Sequence, residues 1–276
     1  QDHFGLSAYR RYGHIAGDKD HESVSKTLEY AYDDWCIARF AGMLGKQTDQ
    51  NQYLQRAQYY QNLFDPQTGF MRPRINGDWK SPFDPSEVDN HFTEANSWQY
   101  SFFVPQDISG LISLFGGKEK MEKKLDELFS TESRLSGREQ VDITGLIGQY
   151  AHGNEPCHLV PFLFHQMGDP GAGQIWLDAI QSRLYRDDPE GLCGNDDCGQ
   201  LSAWHVWVAL GLHPVCPGDP RLAVCVPNFR KATLHLAGSR DLVIRCTGEG
   251  RHWVRAWCNG RVVERSSPFV WAHELR

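Results

Sequence analysis

No apolar run in this chain approaches the roughly 20 residues that a helix needs to cross a bilayer, and no long basic block offsets its net charge of −7. The first lack argues against a membrane span. The second argues against nucleic acid or an anionic membrane surface as the main partner. Eight cysteines (36, 157, 193, 198, 216, 225, 246 and 258) form no CxxC pair, so neither a zinc knuckle nor a disulfide scaffold is expected. Cys193 and Cys198 bracket Gly-Asn-Asp-Asp, yet isolated thiols are the expectation for all eight. Ser202 lies in no GxSxG elbow, and Gly116-Gly117-Lys118 lacks the rest of a phosphate-binding loop. The start, Gln1-Asp2-His3-Phe4-Gly5, has no leader pattern, which is expected of a mature, cytosolic or truncated chain.

What is present is a chain of 276 residues, 40% apolar and 23% charged, enough for one large core or two modest ones. Nine Trp, ten Tyr and fourteen Phe often stand beside acidic or amide residues. Sugars present C–H faces and hydroxyl edges, so their sites combine flat rings with carboxylates and amides. Large cores also collect aromatics, and the count alone leaves both readings open.

Val24, Leu28, Ala31, Trp35, Ala38 and Gly42 follow a 4-3-4-3-4 spacing, one face of a helix. Ser23 is the expected N-cap and Gly45 the stop. Asp33 and Asp34 on this helix read as a solvated face or as the lining of a site. Tyr53, Ala57, Tyr60 and Phe64 predict a second helix closed by Asp65-Pro66, and the two make an antiparallel hairpin. Residues 65–100 are rich in Pro and Gly, and a loop of that length is usually functional. Further helices are predicted at 106–115, 118–130, 157–167, 170–185 and 199–211. After Pro217, strands are predicted at 233–236, 242–245 and 253–258, with Asn259-Gly260 as a hairpin turn. The fold class is therefore mainly α, built from helical hairpins and followed by a small β-strand tail. The hairpins show no fixed sequence repeat, which favours a closed toroid over a solenoid. The domain reading is 1–218 for the helical part and 219–276 for the β segment.

Three motifs carry candidate chemistry. In the first, Trp79-Lys80-Ser81-Pro82-Phe83-Asp84-Pro85 leads into a stretch holding Glu94 and Trp98. A carboxylic acid among apolar rings has its pKa raised by desolvation, as a general acid requires, although Glu94 also reads as a helix cap. The second runs from Asp142 to His158 and gathers His152, Asn154, Glu155 and His158. Oxygen donors from Asn154 and Glu155 suit calcium. Zinc through His152, Glu155 and His158 is an alternative without the helical HExxH spacing, and a polar loop that braces the fold is another. In the third, Asn195, Asp196 and Asp197 open a helix between glycines. A carboxylate there can activate water as a general base, or simply cap the helix. Glycosidases need such a distant pair of carboxyls, one protonated and one ionised.

At these motifs the chain resembles glycoside hydrolase family 92, the calcium-dependent exo-α-mannosidases. The matching stretches are SVSKTLEYAYDDW (23–35), GDWKSPFDP (77–85), FTEANSWQYSFFVPQD (92–107), the GGKE turn at 116–119, DITGLIGQYAHGNEP (142–156) and GNDDCGQLSAWHVWVALGLHPVCPG (194–218). The resemblance implies an (α/α)6 toroid and inverting removal of terminal α-mannose, often α-1,2-linked, from N-glycans or mannan. It implies Glu94 as the acid and Asp197 as the base, with Asp196 and Asn195 beside it. It also implies a calcium and mannose site at Asn154 and Glu155, with His152, Trp98 and Trp79 contributing to sugar binding. The expected partner is a mannose-containing oligosaccharide or glycoprotein glycan, and the expected location is secreted or periplasmic. Family members also carry an N-terminal β-sandwich and earlier toroid helices. On that comparison the 276 residues are expected to be a fragment that needs the missing part for activity, or a non-catalytic carbohydrate-binding remnant. Cys157 and Leu159 depart from the family's usual Ser and His around HGNEP.

Overall fold

The computed structural model describes residues 4–236, 241–248, 250–251 and 255–275. The chain divides into two compact units, Gln1–Cys157 and His158–Arg276, rather than at residue 218. The expected break at Pro217 is crossed by a three-stranded antiparallel sheet that joins Leu212–His213 to Arg221–Val224 and Phe269–Trp271.

In the first unit, α1 (Leu6–Tyr12), which the sequence reading missed, packs on the predicted hairpin of α2 (Ser23–Met43) and α3 (Gln47–Arg56). The expected stripe holds for Val24, Leu28, Ala31 and Ala38, which are buried. Glu22, in the left-handed region, takes the N-cap position in place of Ser23, and Gly45 ends the helix with φ of 70°. The hairpin is tied by a buried polar knot. The Tyr9 hydroxyl donates to Asp34 Oδ2 at 2.8 Å, and Arg56 Nε donates to the same oxygen at 2.9 Å. Burial pushes the Asp34 carboxyl up, and Tyr9 and Arg56 partly offset that. Asp34 is thus a buried brace, whereas Asp33 is exposed.

The second helix ends at Arg56, before the expected Phe64. Ala57, Tyr60 and Leu63 are buried at intervals of three, and the Tyr59–Leu63 segment winds as a 3₁₀-helix, whose period matches that spacing. The Pro- and Gly-rich stretch then folds into the short hairpins Phe64–Asp65/Phe70–Met71 and Arg74–Ile75/Asp78–Trp79. Next come α4 (Ser97–Tyr100), α5 (Ile108–Leu114) and α6 (Lys118–Ser130), the last burying Met121, Leu125 and Leu128 as the sequence predicts.

The second unit holds α7 (Leu163–Met167), α8 (Pro170–Leu184) and α9 (Gln200–Ala209). Asp169 caps α8 by accepting from the backbone N–H groups of Gly171 and Ala172, with Pro170 at the first helical position. Strands Lys231–His235 and Asp241–Arg245 pair antiparallel, and Ala256–Cys258 pairs with Arg261–Val263 across the predicted Asn259-Gly260 turn. Residues 253–254 of the last predicted strand lie outside the described residues. All eight cysteines are free thiols.

Two buried histidines sit in this core. His165 Nε2 donates to the Val224 carbonyl at 3.1 Å, and His213 stacks on Phe162 with ring centroids 4.2 Å apart. Burial pushes His165 down to about 4. It pushes His213 down to about 3, with His158 and His165 adding to the effect. Both are neutral when folded but protonate near 6.5 when unfolded, so their contribution is complete above 6.5 and is lost as pH falls toward their folded values. The Glu29 carboxyl, raised to about 7, acts in the opposite sense, its contribution being lost as pH rises through 7. The histidine part is therefore read as a difference between proteins. Between pH 7 and pH 5, His213→Phe is expected to flatten the fall in unfolding free energy by about 2 kcal/mol relative to wild type. Urea unfolding curves of equal pH slope in the two proteins would refute this.

Candidate active site

The site in the first unit is assembled around the loop that carries Glu94. Glu94 is half-buried and adopts a left-handed backbone, φ 49°, a conformation that non-glycine residues hold only where the surroundings enforce it. Glu94 is not the helix cap. Asn96 caps α4 in a reciprocal box, its side chain accepting from Gln99 N–H while the Gln99 side chain accepts from Asn96 N–H. The N-terminal end of α2 holds the preceding residues: Val24 N–H donates to the His91 carbonyl at 3.0 Å, and Ser25 Oγ accepts from Thr93 N–H at 2.9 Å. Lys80, in the first motif, pairs with Glu87 and with Asp89 (2.9 Å), which fastens the proline-rich loop to the same segment.

The second motif reaches this loop directly. Asn154 Nδ2 donates to the Glu94 carbonyl at 2.8 Å, and Gln149 Oε1 accepts from Asn96 Nδ2 at 3.0 Å. Both Asn154 contacts in this direction, to the Glu94 and Thr93 carbonyls, are to groups that can only accept. Its nitrogen must therefore face the loop, and Oδ1 is the side chain's acceptor atom. Glu155 is half-buried one residue on. Its charge, with that of Asp33, helps raise Glu29 to about 7. Burial is the largest cause of that rise, and a hydrogen bond from Tyr100 opposes it.

Glu29 is a functional candidate that the sequence reading missed. It stands four residues before Asp33, and two like charges on one helix face are unfavourable unless something else uses them. That spacing was the available signal, but the apolar stripe of α2 drew the reading instead.

The rings and His152 behave less uniformly. Trp79 is half-buried in its hairpin, with the Arg74 guanidinium 3.6 Å from the ring centroid, so one face is already covered. Trp98 is only 7% exposed. It meets Phe70 edge-on at 4.6 Å and lies beneath Lys124 Nζ at 4.5 Å. His152 is fully buried, with Nδ1 2.7 Å from the Tyr150 hydroxyl. Both side chains are thus buried among their neighbours. His158, in the second unit, has Nδ1 3.2 Å from Gln200 Nε2, an amide that can only donate, and its carbonyl accepts from Trp204 Nε1. Among the described residues no group of three His, Cys, Asp or Glu side chains is placed to hold a metal.

The third motif lies in the second unit. Asp196 Oδ1 accepts from Ser202 N–H at 2.9 Å and Oδ2 from the Ser202 hydroxyl at 2.8 Å, while its carbonyl accepts from Gln200 N–H at 2.7 Å. Asp196 therefore pins the first turn of α9. Asn195 and Asp197 are exposed, and Asp197, Cys198 and Gly199 follow one another with φ of 43°, 58° and 86°. Three successive left-handed residues turn the chain sharply and present the Asp197 carboxylate to solvent.

A family model described as the glycosyl hydrolase family 92 catalytic domain matches residues 1–274. A family GH92 α-mannosidase from Bacteroides thetaiotaomicron, solved in complex with mannoimidazole, is 38% identical with a TM-score of 0.92, over 99% of this chain and 37% of that one. A family GH92 inverting mannosidase from the same organism is 36% identical with a TM-score of 0.86, over 98% of this chain and 38% of that one. An uncharacterized secreted glycosidase of Arthroderma benhamiae is 28% identical, over 95% of this chain and 36% of its own length. The chain thus spans little more than a third of these relatives.

Proposed function

Because the chain belongs to glycoside hydrolase family 92, we propose that it supplies the catalytic helical part of an exo-acting α-mannosidase that inverts the anomeric centre. The observation that carries this is the restrained Glu94 loop, held from one side by Ser25 and from the other by Asn154. Such a loop is what a carboxyl needs to meet a glycosidic oxygen without searching for it. Glu94 is the proton donor to the leaving group, and Asp197 is the base that takes a proton from the attacking water. Asp196 and Asn195 orient the base. An inverting pair of carboxyls stands roughly 6.5–9.5 Å apart, leaving room for water. The helices belong, in this reading, to an (α/α)6 toroid, and Trp79 offers its uncovered face to the sugar.

Calcium fits the donor set. Asn154 Oδ1 and Glu155 are hard oxygen donors, and the carboxyls of Glu29 and Asp33 add negative charge nearby. Asn154 and Glu155 would hold the ion, which when bound would supply positive charge toward the hydroxyls of the sugar. The substrate class in this reading is a terminal α-mannoside, α-1,2-linked, of an N-glycan or mannan, met in a secreted or periplasmic setting.

The test is mannose release from mannobiose by the longest polypeptide that carries this sequence, with inversion followed by NMR. Activity is expected to fall at least tenfold in EGTA and to return with calcium but not zinc. Retention of configuration, or full activity in chelator, would overturn the corresponding part. Binding without release would favour the carbohydrate-binding remnant.

A further inference from the structure

Beyond the residues that the resemblance supplies, we infer that Gln149 is a positioning residue, closing a ring of three buried amides that sets the backbone just after Glu94. The inference rests on Glu94 being the acid. Gln149 and Asn96 are fully buried and Gln99 is 1% exposed, so none of the three meets the substrate. Gln149 Nε2 donates to the Glu132 carbonyl at 2.7 Å and to the Arg134 carbonyl at 3.0 Å. A carbonyl can only accept, so Gln149 has one allowed orientation and its Oε1 faces Asn96. Asn96 turns Nδ2 toward that oxygen, at 3.0 Å, which leaves Oδ1 for the Gln99 N–H at 3.3 Å. The Gln99 side chain completes the ring. Its Oε1 accepts from the Asn96 N–H and its Nε2 donates to the Gln149 carbonyl, both at 3.3 Å. No member can flip its amide without bringing two like poles together.

The ring is anchored from outside itself. The Gln149 N–H donates to the Leu128 carbonyl at 2.7 Å, so the end of α6 and the loop after it fix where the ring stands. Only Ala95, itself fully buried, separates Glu94 from Asn96. Asn154, from the same motif as Gln149, holds the Glu94 carbonyl at 2.8 Å. Glu94 thus lies between two fixed points, and its left-handed backbone depends on both. A buried polar network is rigid while each member is satisfied, and one missing pole loosens the rest. Without Gln149, Asn96 Nδ2 keeps only a longer contact with the Ser86 carbonyl, 3.4 Å. The cap of α4 then loosens, and the backbone of the acid loosens with it.

The experiment compares Gln149→Met, Asn96→Asp and their double variant with Glu94→Gln, each in the longest polypeptide that carries this sequence. The substrates are mannobiose and a 2,4-dinitrophenyl mannoside, whose leaving group needs no proton. Gln149→Met keeps the length of the side chain and removes its poles. Asn96→Asp keeps the oxygen that caps α4 and removes the nitrogen that donates to Gln149. Each is expected to lower kcat on mannobiose about tenfold with KM within twofold. On the activated substrate the loss should stay below about threefold. The double variant should lose about as much as the worse single, since both act through one ring. Equal losses on the two substrates, or losses that multiply, would overturn the inference by indicating general disruption. If Glu94→Gln shows the leaving-group dependence and the ring variants do not, this inference alone fails. If Glu94→Gln lacks it, the assignment of the acid fails as well. Where one ring variant does not fold, the other decides. Should neither fold, the amides serve the fold alone and the inference is overturned.

Discussion

Glu94→Gln is expected to reduce kcat on unactivated α-mannosides by 10² to 10⁴, the range typical of losing a positioned proton donor. That corresponds to roughly 3–5 kcal/mol of transition-state stabilisation. The amide is nearly isosteric and can keep the ground-state contacts, so KM should change little. Substrates with a dinitrophenyl leaving group need no protonation and should retain most of their rate. The alkaline limb of the pH profile, where a proton donor is lost, should vanish with it. A variant that loses rate equally on both substrate types would count against proton donation and in favour of a structural role for the carboxylate.

The largest stability effect is expected at Gly148→Ala, on the order of 3 kcal/mol or more. Gly148 has φ of 60° and opens the two-residue turn between Leu146–Ile147 and Tyr150–Ala151, where glycine at the first central position suits a type II′ turn. A Cβ there would lie 2.3 Å from the Leu128 carbonyl oxygen and 2.5 Å from the Phe129 carbonyl carbon. Both are backbone of the end of α6, so no side-chain rotation relieves the overlap. Gly69→Ala is the matched control: its φ is 70°, but a Cβ there meets nothing within 4 Å, so it should cost only about 1–2 kcal/mol. Equal shifts in urea midpoint for the two variants would show that the close approach is not what matters. Activity should fall further than stability explains for Gly148→Ala, since the next residue, Gln149, holds Asn96, two positions from Glu94.

Much of this was readable in the sequence, and the reasons for what was not are local. The α2 stripe, the α6 face and the Asn259-Gly260 turn follow from spacing and turn chemistry, which leave little alternative. The end of α3 was misplaced because Tyr53 and Ala57 fit a helical period, while the burial that fixes the tighter turn falls on the later Tyr60 and Leu63. Glu94 reads equally well as a cap, and the box made by Asn96 and Gln99 shows that the cap is Asn96 instead. Trp98 and His152 show the limit of composition. An aromatic or imidazole ring in a polar motif faces either a ligand or the core, and the choice is set by packing that spacing does not reveal, here against distant Phe70 for Trp98 and neighbouring Tyr150 for His152. The contact of Asn154 with Glu94 spans 60 residues, beyond any pattern argument. Asp34 was legible as an acid but not as a brace, because its partners Tyr9 and Arg56 lie on other helices.

Asp196 takes both of its contacts from one residue, Ser202, and its carbonyl receives the first amides of α9. Fraying at the start of that helix and wandering of the Asp197 side chain are therefore a single event seen from two ends. Amide exchange at Ser202 becomes a stopwatch for it: the fraction of time that proton is protected is the fraction of time the neighbouring Asp197 carboxylate is held in place.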